Sequence, residues 1–394
     1  MPTLVRASQR SRQEIPYAPL QRGGSAEAHE RPLPSKRASQ RWSTPDAHAA
    51  AAVELSEHKD RVYSVAFARD GEHFFTADTN GKAVRMWATR THKKVRDFTT
   101  ADHGRIFGCA VSPDGKTLAT ADYDGAAAHL FDVETGALRL TCRKADKKEG
   151  RKGHTQGVWS VAFSPDGTAL VSGAWDSKAI VWDVAKGEVL CELEGHEARV
   201  MGVTYSPDGR IIATASWDGT VRTWEPDTGD PLYTYEVPSA DPPGSGLHGV
   251  AFAPDGSSMT VAVDSGIATT YSVPHDRSIR GKLVCELKPS RKKQGGVKEK
   301  HSKVYGVGYS VDSRTVATAH SDGLVRIWDL ALGVEVQIIK VRHRRPPPLR
   351  PPAAAPPPAA AAFAAECVAG CATTGARSPP QEDRSLPQPL EDGR

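Results

Sequence analysis

The chain has 394 residues, a hydrophobic fraction of 39% and a formal net charge of +4 at pH 7, so it holds one large domain or two, and its charge alone does not define a partner. The 29 prolines lie mostly outside the middle of the chain, which predicts a folded centre with disordered flanks. The longest apolar candidate, AAAPPPAAAAFAA, is too short and too broken by proline to cross a bilayer.

Residues 1–50 show no apolar periodicity and read as a polar, basic, disordered segment. The opening MPTLVRASQRSRQ shares its Arg and Ser content with a mitochondrial transit peptide, but Pro16 and Pro19 interrupt any amphipathic helix, and a cytoplasmic or nuclear location is expected instead. From residue 51 to 340 the texture changes. Runs such as VYSVAF (62–67), VWSVAF (158–163), VMGVTY (200–205) and VYGVGY (304–309) are β-branched and aromatic, and each precedes a turn of the Pro-Asp-Gly type. A second strand follows (TLATAD, ALVSGA, IIATAS, TVATAH), then a tight turn and a third strand ending in Trp87, Phe131, Trp182, Trp224, Tyr271 or Trp328, then a short fourth strand. Six such units recur with a period of about 42 to 53 residues, which predicts an array of small antiparallel sheets. AAVELSEH (51–58) matches VLCELEGH (189–196), an outer strand placed before the first full unit. Two designs stay open: a six-bladed ring, or a seven-bladed one whose last blade is absent from this chain. Residues 341–394 are Pro/Ala-rich and read as a disordered tail. Of the six cysteines, Cys109, Cys142, Cys191 and Cys285 fall in strand-like runs and read as reduced thiols; Cys367 and Cys371 lack a second pair or a His cluster, so neither metal nor cofactor is expected.

Three units carry a His, a Ser or Thr and an Asp ahead of the third-strand Trp: His154, Ser172, Asp176 and Trp182; His196, Thr214, Asp218 and Trp224; His301, Thr318, Asp322 and Trp328. Hydroxyl, imidazole and carboxylate are the parts of a nucleophilic triad. An active site is needed once, however, whereas this set recurs, and no nucleophile elbow or phosphate loop accompanies it. Gly153-His154 with the VWD ending at Asp183, Gly195-His196 with the TWE ending at Glu225, and Lys300-His301 with the IWD ending at Asp329 resemble the Gly-His and Trp-Asp signatures of WD40 repeats. The resemblance covers residues 53–340 and implies an all-β propeller in which each set is a buried hydrogen-bond chain tying the strands of one blade. Departures mark weaker blades. Unit 1 has Asn80 near the Asp position and unit 2 ends in Phe131; in unit 5, Pro243, Val261 and Ser265 fall where His, hydroxyl and Asp are expected, with Tyr271 for Trp. Unit 5 is expected to be the most mobile.

The resemblance also implies a wide top face, lined at the start of each inner strand and at the turn between the second and third strands. Those offsets fall on Tyr63, Phe107, Trp159, Met201, His248 and Tyr305, and on Thr79, Tyr123, Trp175, Trp217, Asp264 and Ser321. Most are aromatic or Met, the side chains that anchor interfaces. The connections RKADKKEGRKGH (143–154) and KPSRKKQGGVKEKH (288–301) would add a basic rim suited to an acidic or phosphorylated partner segment. The expectation is a non-catalytic protein-interaction scaffold within a larger complex, with no membrane contact and no small-molecule substrate; nucleic-acid reading lacks a recognition helix or RNP-like run. One alternative is a substrate receptor of a cullin-type ubiquitin ligase. Many such propellers carry Arg two positions after a Trp-Asp, which VWDVAK and IWDLAL lack. The other alternative is a propeller-shaped enzyme using channel carboxylates.

Overall fold

The computed structural model describes Leu55, His58 and residues 62–79, 83–99, 104–143, 152–238, 245–274, 279–289 and 302–340. The terminal segments, Asn80, His301, Cys367, Cys371 and most of the two Lys-rich connections lie outside the described residues.

Strand propensity and turn chemistry agree along the repeat. Blade 1 is β1 (Val62–Phe67), β2 (His73–Asp78), β3 (Ala83–Ala88) and β4 (Lys94–Phe98); blade 2 is β5 (Ile106–Val111), β6 (Thr117–Asp122), β7 (Ala127–Asp132) and β8 (Leu138–Cys142). Blade 3 is β9 (Val158–Phe163), β10 (Ala169–Ala174), β11 (Ala179–Asp183) and β12 (Val189–Leu193); blade 4 is β13 (Val200–Tyr205), β14 (Ile212–Ser216), β15 (Thr220–Trp224) and β16 (Pro231–Glu236). Blade 5 is β17 (Leu247–Phe252), β18 (Ser258–Val263), β19 (Ala268–Ser272) and β20 (Leu283–Leu287); blade 6 is β21 (Val304–Tyr309), β22 (Thr315–His320), β23 (Leu324–Asp329) and β24 (Val334–Lys340). Every blade is a four-stranded antiparallel meander in chain order, and the six stand in a ring, a six-bladed β-propeller with no helix among the described residues. The Pro-Asp-Gly turns need a left-handed residue, and Gly167 supplies it at φ 76°.

The core lies between blades. Ile180 and Trp182 of blade 3 pack on Leu130 and Cys142 of blade 2, and Trp224 of blade 4 packs with Leu193 of blade 3. Inner strands β1, β5, β9, β13, β17 and β21 each pack on the next. They approach closely where the residue is small: a Cβ on Gly202 would stand 2.9 Å from the Gly249 Cα. At the seam between blades 6 and 1, no comparable packing joins β21 to β1 among the described residues.

Candidate functional site

Inside the blades, hydrogen-bonding capacity fixes the direction of each chain. The Trp182 indole can only donate, and it donates to Ser172 Oγ at 2.7 Å. The Ser172 hydroxyl lies 2.7 Å from His154 Nε2 and donates there, which leaves the ring proton on Nδ1, 3.1 Å from Asp176 Oδ2. Blade 4 repeats this: Trp224 to Thr214 at 2.9 Å, Thr214 to His196 at 2.7 Å, His196 to Asp218 at 2.7 Å. Burial pushes the Asp176 carboxyl up, but His154 and the N–H groups of Thr155 and Lys178 outweigh it and hold the group below the usual carboxylate range. Asp218 is held lower still against the same burial cost, by His196 and Thr220.

Blades 1, 2 and 6 depart from that pattern. In blade 1 the chain is complete, which corrects the expectation of a weak unit centred on Asn80. Trp87 donates to Thr76 Oγ1 at 2.7 Å, Thr76 meets His58 Nε2 at 3.0 Å, and His58 Nδ1 meets Asp78 at 3.1 Å, with Arg85 also bonded to Asp78. Asp78 stands two residues after the hydroxyl, not four, and Arg85 pairs with Thr76 across the ladder. Blade 2 pairs Asp122 with His129 at 3.2 Å; Phe131 has no N–H to offer, and the Thr120 hydroxyl has no partner among the described residues. In blade 6, Trp328 and His320 engage the Thr318 hydroxyl, both at 2.8 Å, while Asp322 is ion-paired to Arg326 at 2.7 Å. Blade 5 has no such chain among the described residues: Val261 and Tyr271 join an apolar cluster, and Thr260 bonds to Thr270 and to the Tyr309 hydroxyl of the next blade.

The top-face offsets prove to share one backbone feature. The pairing of each innermost strand with its neighbour shifts register at Tyr63, Phe107, Trp159, Met201, His248 and Tyr305. Each is a β-bulge, so its side chain is released from the alternation that governs the rest of the strand. The second set is tied to it: the N–H groups of Tyr123, Trp175, Trp217, Asp264 and Ser321 donate to the carbonyls of Arg105, Gly157, Arg199, Gly246 and Lys303, two residues before each bulge. The structure joins these side chains into a belt. Tyr63 contacts Phe107 and Trp159, and Trp159 stacks on Phe107 at 4.0 Å and on Trp175 at 6.0 Å; Trp217 contacts His248, which contacts Tyr305. Two expected contact residues are corrected. Phe107 is buried beneath Tyr63, Tyr123 and Trp159, and Met201 is buried at its bulge, so neither offers free surface.

The sequence matches the family described as WD domain, G-beta repeat, over residues 52–88, 93–127, 147–183, 187–225 and 292–329. The chain belongs to the WD40-repeat family. The matches skip the fifth WD40 blade, in which Val261 and Tyr271 stand where the hydroxyl and the Trp are expected. Residue by residue the chain is 32% identical over 88 residues to WD repeat-containing protein 1 of Xenopus tropicalis, covering 22% of this chain and 14% of that protein. It is 30% identical over 190 residues to eukaryotic translation initiation factor 3 subunit I of Meyerozyma guilliermondii (46% and 50%), and 27% identical over 183 residues to small ribosomal subunit protein RACK1z of Arabidopsis thaliana (45% and 41%). The chain spans half or less of the length of these relatives.

Two cations beside these aromatic side chains escaped the sequence reading. The Arg199 guanidinium lies 3.5 Å from the Trp175 ring centroid and 5.1 Å from that of Trp217; Arg105 lies over Tyr123 at 4.6 Å and is paired with Asp124 at 2.6 Å. Arg199 makes no ion pair with a carboxylate among the described residues. The signal lay at one offset, two residues before each bulge, where the sequence reads Arg61, Arg105, Gly157, Arg199, Gly246 and Lys303. Glycine there serves the aromatic of the preceding blade: a Cβ on Gly157 would stand 2.4 Å from the Tyr123 ring, and one on Gly246 2.5 Å from Trp217. Lys303 is instead paired with Asp264 at 2.8 Å, and Asp264 with His248 at 2.6 Å. Among the described residues no group of His, Cys, Asp and Glu could hold a metal ion, and burial pushes the Cys109 and Cys142 thiols up to about 12.

Proposed function

We propose that the chain is a non-catalytic scaffold whose top face binds an acidic or phosphorylated segment of a partner protein within a larger assembly. The observation that carries this reading is Arg199, held against the faces of Trp175 and Trp217 with no carboxylate partner among the described residues. A guanidinium held against indole rings loses little freedom on binding, and its N–H groups suit a carboxylate or phosphate. Half-buried Trp159, Trp217 and Tyr305 of the same belt supply amphipathic contact area at small entropic cost. The hydroxyls of Ser172, Thr214 and Thr318 are fully buried and already committed, which favours a structural use of the His-hydroxyl-Asp sets over a nucleophilic one. Two of the relatives bear the names of an initiation-factor subunit and a small-ribosomal-subunit protein, components of assemblies.

The test is binding of Glu-rich and phosphoserine peptides to the full chain, compared with neutral peptides of matched length. Trp159→Ala with Trp217→Ala should weaken binding by more than about 2 kcal/mol, and Arg199→Gln should abolish the preference for the acidic peptides, both with little change in melting temperature. Equal binding of acidic and neutral peptides, or a folding defect in every variant, would remove the reading.

A further inference from the structure

Among the described residues three cations share one repeat position, two residues before the bulge: Arg105 in blade 2, Arg199 in blade 4 and Lys303 in blade 6. Two of them are already neutralised. Arg105 spends its fork on Asp124, with Nη2 at 2.6 Å and Nε at 3.1 Å from Oδ1, and its backbone N–H donates to Oδ2 at 2.8 Å. Lys303 donates to one oxygen of Asp264 in blade 5 at 2.8 Å, and His248 Nε2 lies 2.6 Å from the other. The position that serves Arg105, one residue after the turn aromatic, is Asp218 in blade 4. Asp218 is claimed elsewhere: by His196 Nδ1 at 2.7 Å, by the Glu197 N–H at 3.1 Å and by the Thr220 hydroxyl at 2.6 Å. The hydrogen-bond chain that ties blade 4 thus takes the carboxylate that would have answered Arg199. The neighbours of that charge are aromatic: the guanidinium stands between Trp175 and Trp217, and the belt continues from Trp175 to Tyr123 and from Trp217 to His248.

We infer that the belt takes a single carboxylate side chain, one Asp or Glu of the partner, at Arg199, flanked in the partner by apolar residues that lie on the neighbouring rings. This rests on the scaffold reading above and narrows it. A carboxylate carries one charge and matches one guanidinium, whereas a phosphate carries about −1.5 to −2 at pH 7 and would keep a surplus, since the other two belt cations are taken. Further acids gain nothing there, because Asp124 and Asp264 hold those cations and repel a second carboxylate.

A display library of random peptides, selected on the full chain at about 0.15 M salt, tests this. The expected winners carry one invariant Asp or Glu among aliphatic and aromatic residues. The best of them, synthesised, should lose about tenfold or more in affinity when that acid becomes its amide, and should bind no tighter when it becomes phosphoserine. Arg199→Gln should erase the difference between acid and amide. Asp124→Asn with Asp264→Asn should turn the selection towards acidic runs, because Arg105 and Lys303 are then released. Acidic runs selected by the wild-type chain, tighter binding of the phosphoserine peptide, an acid whose effect survives Arg199→Gln, or a double variant that still selects one acid would each overturn the single-carboxylate inference and leave an acidic partner standing. Winners without an acidic residue, or no winners, would remove the scaffold reading and this inference together.

Discussion

Trp182 and Phe131 occupy equivalent ends of β11 and β7, and the difference between an N–H and none decides what each hydroxyl beneath them does. Trp182→Phe should cost about 1 kcal/mol by leaving Ser172 one partner short, and Asp218→Ala about 1–3 kcal/mol by stranding buried His196; chemical denaturation of each variant measures both. Asp218→Ala at wild-type stability would show that the chain contributes nothing. His320 gives a second test. Burial and the neighbouring Arg326 charge pull its pKa down to about 4, below the ordinary 6.5. The folded state thus resists a proton that the unfolded state accepts, so its contribution is full above about pH 6.5 and is lost as the pH falls towards 4, by up to about 3 kcal/mol. His320→Gln should flatten the stability profile over that interval. The sets in blades 3 and 4 were legible because their spacing repeats. Asp78 and His320 were not, because they stand two residues after the hydroxyl, a spacing that is meaningful only once a strand face is known and the cross-strand partners Arg85 and Arg326 are in place.

At the level of the strand, chain order and turn chemistry made nearly every element readable, since each blade is local in sequence. What could not be read was the bulge, because a register shift between two strands leaves no composition of its own. It does leave a trace one residue later, where Ser64, Gly108, Ser160, Gly202, Gly249 and Gly306 are all small, and these are the positions at which inner strands of neighbouring blades approach. Gly202→Ala should therefore cost about 1–3 kcal/mol, because the new Cβ meets the Gly249 Cα and the Val250 N rather than a side chain that can swing away. Gly256→Ala makes the comparison: nothing lies within 4 Å of its Cβ, and only its φ of 73° opposes the change. Urea unfolding that ranked the two equally would mean the inner ring is looser than its geometry.

For the propeller as a whole, acid should act in two stages. After His320, the carboxylates of Asp122, Asp176, Asp218 and Asp264, all held below the usual range against their burial, lose their contribution as the pH falls below about 4. A melting temperature that stays flat from pH 5 to 2.5 would contradict that. The repeat and its ring were legible as a whole, because six imperfect copies average out local noise; the seam was legible only as a spare outer strand without a place. The bulges carry a consequence for how such a molecule changes over generations. A bulged residue is outside the ladder, and the turn residue that faces it is held by its backbone, so the side chains of Tyr63, Trp159 and Tyr305, unlike those of buried Phe107 and Met201, are not fixed by the pairing of the blade. Substitutions at those positions leave the ladder and the buried Trp, hydroxyl, His and Asp untouched, which separates the part of the chain that specifies the architecture from the part that is free to be rewritten.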